Sequence, residues 1–390
     1  MPRFPRTAPS AQSLSDRVFG RLVAKSGSHQ GRLYPLHVGD TYLDPLPQAR
    51  AQEQLAEHRE RLHNYAPVQG EPALLDAICR KIARRSRVAV DADCVQVMSG
   101  ATAGLGVVCT ALLEPGDEVI VPAPFWPLIR GIVRSRGAVA VEVPLFSRLS
   151  EPGFDAVGAI AAAITPRTAA IYVNSPQNPT GQSLPEAVLR GIGKLAQQHD
   201  LWLLSDEVYE DVYFGDAPPV SAFTLPEWQG RTISTHSVSK AYGLAGSRVG
   251  YTHGPREAME VIRGVQTFYT YCAPRPLQFG AAYALEHGDS WLADMRRIYA
   301  SAGRAAAEAL GLPSPEGGTF LFFDMTRWLS RGETPQTLLE RCVDAGVILT
   351  PGTACGKDYE TWARLCFTVI PEPELRQALA QLRLGLGIVG

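Results

Sequence analysis

Between about residue 93 and residue 255 the chain repeats one theme: a short β-branched run, a turn, then a helical pattern. The candidate strands are "CVQVM", "EVIVP", "AVAVEV", "AAIYV", "LWLLS", "TISTHS" and "RVGYT". Strand and helix alternating in this way predict an α/β fold, a mainly parallel seven-stranded sheet flanked by helices. The segment "SLPEAVLRGIGKLAQQHD" carries helix grammar: Ser183 and Glu186 read as a capping box and Pro185 falls in the first turn. Leu184, Val188, Leu189, Ile192 and Leu195 supply its apolar stripe.

The carboxyl-terminal part follows a different rhythm. "SWLADMRRIYASAGRAAAEAL" predicts a long helix leaving the first domain, and "GGTFLFFDM", "GVILTPG" and "RLCFTVI" predict strands separated by helices. A chain of 390 residues exceeds what one hydrophobic core usually organises, so a smaller α+β domain is expected beside the large one. The expected division is an amino-terminal arm with part of the small domain over 1–45, the large domain over 46–295 and the rest of the small domain over 296–390.

A hydrophobic fraction of 45% with 19% charged residues fits a globular protein. The formal net charge of −2 supplies no field that would collect on nucleic acid, so small molecules are the expected partners. No apolar run reaches the roughly 18 residues that a bilayer requires. The 7 cysteines are scattered and form no C-x-x-C pair, as expected of a reducing cytoplasm. Pro2, Pro5 and Pro9 would break an amphipathic targeting helix in "MPRFPRTAPSAQSLSD", so a flexible arm is expected there.

Ligands of open α/β sheets bind outside the carboxyl ends of the strands. The segments that follow five of the candidate strands are "SGAT", "APFWP", "NSPQNPTG", "DEVYED" and "VSKAYG", which bring Gly100, Trp126, Asn178, Asp206, Tyr209 and Lys240 to one edge. Gly100, Ala101 and Thr102 open a helix through Leu113, whose free amides could hold a phosphate; simple capping is the alternative. Ser237 and Arg248 could add a hydroxyl and a charge-assisted bond to the same anion.

Lys240 stands among Ser237, Ser239, Tyr242, Gly243 and Arg248. A lysine amine becomes nucleophilic when burial and nearby cations lower its pKa, and it then forms imines with aldehydes. An aldehyde that also bears a phosphate points to pyridoxal 5′-phosphate, whose ring nitrogen needs an acidic partner. Asp206 can be that partner, the alternative being a helix cap, and Tyr209 lies close enough to reach the ring hydroxyl. Glu207, Glu210 and Asp211 raise the question of a metal, but no second cluster of carboxylates or histidines accompanies them, so no metal is expected. His58 and His63 lack the H-E-x-x-H pattern and read as a solvated helix face, and the strand offset of His236 would turn it from Lys240.

From about residue 35 to the end, the chain resembles the class I/II aminotransferases of the aspartate aminotransferase fold, fold type I of the pyridoxal-phosphate enzymes. The patterns that carry the resemblance are "NYAPVQGEPALLDAI", "SGAT", "PGDEVIVPAPFWP", "NSPQNPTG", "SDEVYED", "SVSKAYGLAGSRVGY", "GGTF" and "ARLCF". The resemblance implies a Schiff base at Lys240, Asp206 on the ring nitrogen, Tyr209 and Asn178 on the ring oxygen, and Trp126 stacked on the ring. Ser237, Arg248 and the Gly100–Thr102 turn would grip the phosphate, and Arg364, with Gly39 and Asn178, the substrate carboxylate. Tyr65 matches a tyrosine that reaches the phosphate of a neighbouring subunit, which implies a homodimer with shared active sites. The implied reaction moves an amino group from an amino acid to a 2-oxo acid.

Dicarboxylate-specific relatives carry a further arginine in a segment that aligns with "VQTFYTYCAP", where Gln266 stands, with Arg275 close enough to compensate. A neutral, aromatic or polar donor is therefore expected. Elimination, decarboxylation and cyclisation on the same scaffold remain alternatives, since the cofactor residues would be the same. A non-catalytic sensor is more remote, because the residues before Leu36 leave no room for a fused module.

Overall fold

The computed structural model describes Leu14 and residues 20–55 and 58–388. The sequence expectations for the first residues, Pro2, Pro5 and Pro9 among them, lie outside the described residues. Seven strands form the large sheet: β1 Val95–Met98, β2 Glu118–Ala123, β3 Val139–Pro144, β4 Thr168–Asn174, β5 Trp202–Asp206, β6 Thr232–Ser237 and β7 Gly250–His253. Their order is β1-β7-β6-β5-β4-β2-β3. Only β7 opposes its neighbours, pairing antiparallel with both β1 and β6, so the carboxyl ends of the six other strands share one edge.

The central strands β2 and β4 read as apolar runs because both faces of the sheet are covered, whereas β6, "TISTHS", is buried along its length although largely polar. Along β4 and β5, Ala170, Tyr172 and Leu204 enter the core on one face, while Ile171, Val173 and Leu203 enter the core on the other. The helix Ala101–Leu112 packs on the first face, and the helix Glu186–His199 supplies Leu189, Ile192 and Ala196 to the second.

The expected capping box at Ser183 and Glu186 does not form. The helix begins at Glu186 behind Pro185 and has no side-chain cap. The Ser183 N–H donates to Glu316 Oε2 at 2.9 Å, and Glu186 pairs with Arg190 one turn on. Both members of the box are thus engaged elsewhere.

The long helix Asp289–Leu310 leads to a small antiparallel sheet of β8 Phe320–Asp324, β9 Thr350–Pro351 and β10 Trp362–Cys366, in the order β8-β10-β9. The amino-terminal segment is sewn onto this sheet region: Tyr34 bridges Val347, the Cys366 N–H donates to Leu36 O at 2.7 Å, and the Tyr42 N–H donates to Thr368 O at 2.9 Å. Gly39 is thereby carried to the carboxyl edge of the large sheet.

Candidate active site

A cleft of about 300 Å³ opens at that edge, lined among others by Gly39, Ala101, Thr102, Trp126, Asn178 and Asp206. Tyr209, Ser237, Lys240, Arg248 and Arg364 complete its polar wall. The loops after the large-sheet strands supply most of the site, as their place at the strand ends predicts, while Gly39 and Arg364 join it from the amino-terminal segment and from β10.

Its phosphate end is built on glycine. Gly100 has φ +85°, and a Cβ there would collide with Nη2 of Arg248. Arg248 itself is held in the left-handed region at φ 51° and donates to Ala245 O at 2.9 Å. The bare backbone lets the guanidinium lie against the start of the helix Ala101–Leu112, where free amides and the helix dipole favour an anion. Ser237 Oγ donates to Ser239 Oγ at 2.8 Å, and both side chains line the cleft.

Lys240 follows β6 and is mostly buried. Its Nζ donates to Gly39 O at 2.6 Å and stands 3.7 Å from Asp40 Oδ1. Burial lowers its pKa below the ordinary lysine value; Asp40 and Cys366 oppose that, and Arg248 adds to it. Asp206, at the end of β5, accepts from the Tyr172 hydroxyl at 2.6 Å and from the Val208 N–H at 3.3 Å. Burial pushes its carboxyl up to about 6, against the bonds from Tyr172 and Val208.

Arg364 emerges from β10 as a buried cation whose hydrogen-bond acceptors are all neutral. It donates to Asn178 Oδ1 at 3.0 Å, His37 O at 3.1 Å and Thr350 Oγ1 at 3.2 Å, and lies 4.2 Å from the centre of the Phe320 ring. Among the described residues its Nε has no hydrogen-bond partner. A cation so enclosed calls for an anion from outside the chain. Asn178 also donates through Nδ2 to the Tyr209 hydroxyl at 3.3 Å, which ties the two ends of the cleft together.

Three expectations are corrected. Gln266 is wholly enclosed in the helix Arg256–Tyr269 and lines no part of the cleft. Arg275 does not line this chain's own cleft; its guanidinium is bonded instead to Glu71 at 2.6 Å and to Arg61 O at 2.7 Å. His58 and His63 are exposed, but they share no helix face: His58 lies in a 3-10 turn and His63 in a plain turn.

Tyr65 is 77% exposed, packs in a tilted pair with Tyr271 at 4.8 Å between ring centres and lies outside this chain's own cleft. His236 turns away from the cleft: its Nδ1 meets Glu210 at 2.9 Å and its Nε2 meets His253 Nε2 at 3.1 Å. Glu207, Glu210 and His236 have ligand atoms within 4.8 Å of one another. Glu210, however, already pairs with Lys81 at 2.6 Å and Arg85 at 2.9 Å, and two cations oppose a third. Despite burial, Lys81, His236 and Arg85 hold the Glu210 carboxyl well below its usual range.

Sequence reasoning missed Phe320, Leu105 and Ser239 as lining residues, and Tyr172 beneath them. Phe320 closes the "GGTF" pattern and Leu105 lies one helical turn beyond Ala101, so both had a signal. Tyr172, within the apolar run "AAIYV", had none.

Residues 33–382 match the family model "Aminotransferase class I and II". The arginine–pyruvate transaminase of Pseudomonas aeruginosa is 36% identical over 360 residues, 90% of this chain and 88% of its own. A probable aspartate/prephenate aminotransferase of Thermus aquaticus is 35% identical, covering 74% of this chain and 76% of its own. In three dimensions an aspartate aminotransferase of Thermus thermophilus superposes with a TM-score of 0.90 at 28% identity, over 98% of this chain and all of its own. The aspartate aminotransferase of Rhizobium meliloti superposes with a TM-score of 0.91 at 26% identity, over 99% of this chain and all of its own.

The chain therefore belongs to the class I and II aminotransferases. It is a pyridoxal-phosphate-dependent transaminase acting on amino acids and 2-oxo acids.

Proposed function

We propose that the cleft transaminates α-amino acids whose side chain bears no carboxylate, with Lys240 as the working amine. The residues fit the cofactor. A Cβ-free cradle at Gly100 beside Arg248 suits a phosphate, and a buried acid at Asp206 suits a protonated ring nitrogen. Ser237, Thr102, Ala101 and Gly100 would complete the phosphate grip, Tyr209 and Asn178 would bond the ring oxygen, and Trp126 would cover the ring face. When bound, pyridoxal phosphate supplies an aldehyde that links amines covalently and a pyridinium ring that takes up the electrons of a broken Cα–H bond.

The chain's own residues do the rest. Arg364, helped by Asn178 and the open backbone at Gly39, grips the α-carboxylate in two parallel bonds and so fixes the orientation of the Cα–H bond. Lys240 Nζ, made less basic by burial, accepts the α-proton and later returns it. Asp206 keeps a negative charge facing the ring nitrogen.

The observation that carries the donor class is the count of cations: Lys240, Arg248 and Arg364 are the three that line the cleft among the described residues. Each has a role, so this chain's own part of the site offers a second carboxylate no cationic partner. A cationic donor is the second reading, favoured by Asp40 beside Lys240 at the cleft and by the arginine in the name of the Pseudomonas relative.

Single-turnover rates with alanine, phenylalanine, glutamine, arginine, aspartate and glutamate test both. Faster turnover of either acidic donor than of all the others contradicts the proposal. A rate for arginine far above the neutral donors selects the second reading.

The assembly we propose is a homodimer with shared sites, in which Tyr65 reaches the partner's phosphate end. Tyr65, Tyr271, Tyr269 and Phe268, 45% to 91% exposed, give the apolar surface that such an interface would cover. A monomer by sedimentation, or a Tyr65→Phe variant with unchanged cofactor affinity, would oppose it. The division into a large domain over 46–295 and a small one over 1–45 and 296–390 belongs to the same proposal, as does a cytoplasmic setting, which the unpaired state of all 7 cysteines suits. No helix among the described residues is long and apolar enough to cross a membrane.

A further inference from the structure

We infer that Tyr172 is a positioning residue for the cofactor's acid: its hydroxyl, donating to Asp206 Oδ2, fixes that carboxylate and keeps it ionised toward the ring nitrogen.

The geometry begins in β4. Residues 172 and 174 share a face of the strand, and both reach across to the end of β5. Asn174 Nδ2 donates to Asp206 O at 2.9 Å and holds its backbone, while the Tyr172 hydroxyl holds its side chain at 2.6 Å. The tyrosine is 1% exposed, and its neighbours Ala170, Ile171 and Val173 are apolar, as a core strand requires. An aliphatic side chain would serve packing there. A buried phenol needs a partner for its hydroxyl, and the partner it finds is the acid that lines the cleft.

The carboxylate has few other supports. Among the described residues Oδ1 accepts only the longer bond from the Val208 N–H, at 3.3 Å, which leaves it open toward the cleft. An ionised carboxylate accepts and cannot donate, so a phenol O–H on Oδ2 stabilises the charged form. Burial works against that charge and is the largest influence on it. Among the opposing influences Tyr172 comes first, followed by the Val208 N–H and His236, whereas Glu207 pushes the other way. Tyr172 stays protonated, because burial, the charge of Asp206 and the hydrogen bond to it raise its own pKa well above the usual phenol range.

The consequence concerns binding as well as chemistry. A protonated Asp206 offers the ring nitrogen no counter-charge, so the cofactor-competent fraction of the apo-enzyme follows the Asp206 titration. Removing the hydroxyl while keeping the ring moves that titration upward. A residue that only filled space would leave it where it is.

The test compares the full-length apo-enzyme of the wild type and Tyr172→Phe by carbon-13 NMR of aspartate carboxyls, with the Asp206 signal assigned through its loss in Asp206→Asn. The expected result is an Asp206 midpoint about one pH unit higher in Tyr172→Phe. The accompanying loss of pyridoxal-phosphate affinity is about fivefold at pH 6 and shrinks as the pH rises. A midpoint and an affinity that match the wild type across that range overturn the proposal. Incorporating 3-fluorotyrosine at position 172, a stronger donor of the same shape, should lower the midpoint instead. A midpoint that does not fall contradicts the assignment even if Tyr172→Phe fails to fold.

Discussion

The ammonium of Lys240 donates to the carbonyl oxygen of Gly39 at 2.6 Å, joining the loop after β6 to the amino-terminal segment that is sewn onto the small sheet. The amine is thus held at the junction between the two sheet regions, beside the glycine whose missing side chain leaves room for Phe320. A Cβ at Gly39 would stand 2.9 Å from Phe320 Cζ. Gly39→Ala should therefore push Phe320 off the Arg364 guanidinium and raise the KM for amino acids about tenfold, with little change in cofactor affinity. Steady-state kinetics beside a cofactor titration separate the two.

Arg364 is expected to set the preference for α-amino acids over plain amines. Two charge-assisted bonds to a carboxylate correspond to roughly 10²–10⁴ in kcat/KM. Arg364→Leu should remove most of the advantage of alanine over ethylamine, and the ratio of their half-reaction rates measures it. Arg364→Lys should recover only part, because a point charge cannot make the paired contact.

The phosphate cradle gives a different signature. Gly100→Ala brings a Cβ onto Arg248 at a backbone angle that favours glycine. Affinity for pyridoxal phosphate should fall by tenfold or more while affinity for pyridoxal, which lacks the phosphate, stays nearly constant. Competition binding to the apo-enzyme reads both.

Asp206 links cofactor chemistry to stability. Its folded pKa of about 6 lies above the ordinary value of 3.8, so the folded apo-enzyme binds this proton more tightly than the unfolded chain. The resulting stabilisation is fully present below pH 3.8 and is lost as the pH rises through about 6. Relative to Asp206→Asn, which does not titrate, the wild-type apo-enzyme should lose about 3 kcal/mol of unfolding free energy across that window. Denaturant titrations at fixed protein concentration measure the difference. A gap that stays constant with pH would contradict the buried setting of Asp206.

Lys81 answers a structural question. Its ammonium meets Glu210 at 2.6 Å and Asp211 at 2.7 Å inside the fold. Lys81→Met leaves two buried carboxylates short of a partner and should cost about 3–5 kcal/mol in urea unfolding. Adding Glu210→Gln to that variant should recover part of the loss.

How far the site could be read from sequence depended on chemistry and on distance. The central strands β2, β4 and β5 were legible because both faces of the sheet are buried there, so they read as apolar runs, whereas the polar β6, "TISTHS", was legible from its β-branched residues and its place in the alternation of strand and helix. Lys240, Asp206 and Asn178 were legible because a polar side chain at or just beyond the end of a buried strand stands where ligands of such sheets bind, whereas Arg364, in the middle of β10 of the small sheet, was legible only through the family resemblance of "ARLCF". The capping box failed because Ser183 found Glu316, a residue far along the chain that no local pattern could announce. Gln266 misled for a related reason: its place along a segment does not say whether the helix turns it inward. Tyr172 stayed hidden because a tyrosine in an apolar strand reads as core until its partner on the next strand is seen.

The most direct test of the role of Lys240 is the pre-steady-state half-reaction of Lys240→Ala loaded with pyridoxal phosphate and mixed with an amino acid. Without the Nζ that accepts the α-proton, the variant should bind the donor yet release 2-oxo acid at least about 10³-fold more slowly than the wild type, and added methylamine should restore part of the rate. Release of 2-oxo acid at the wild-type rate would contradict it.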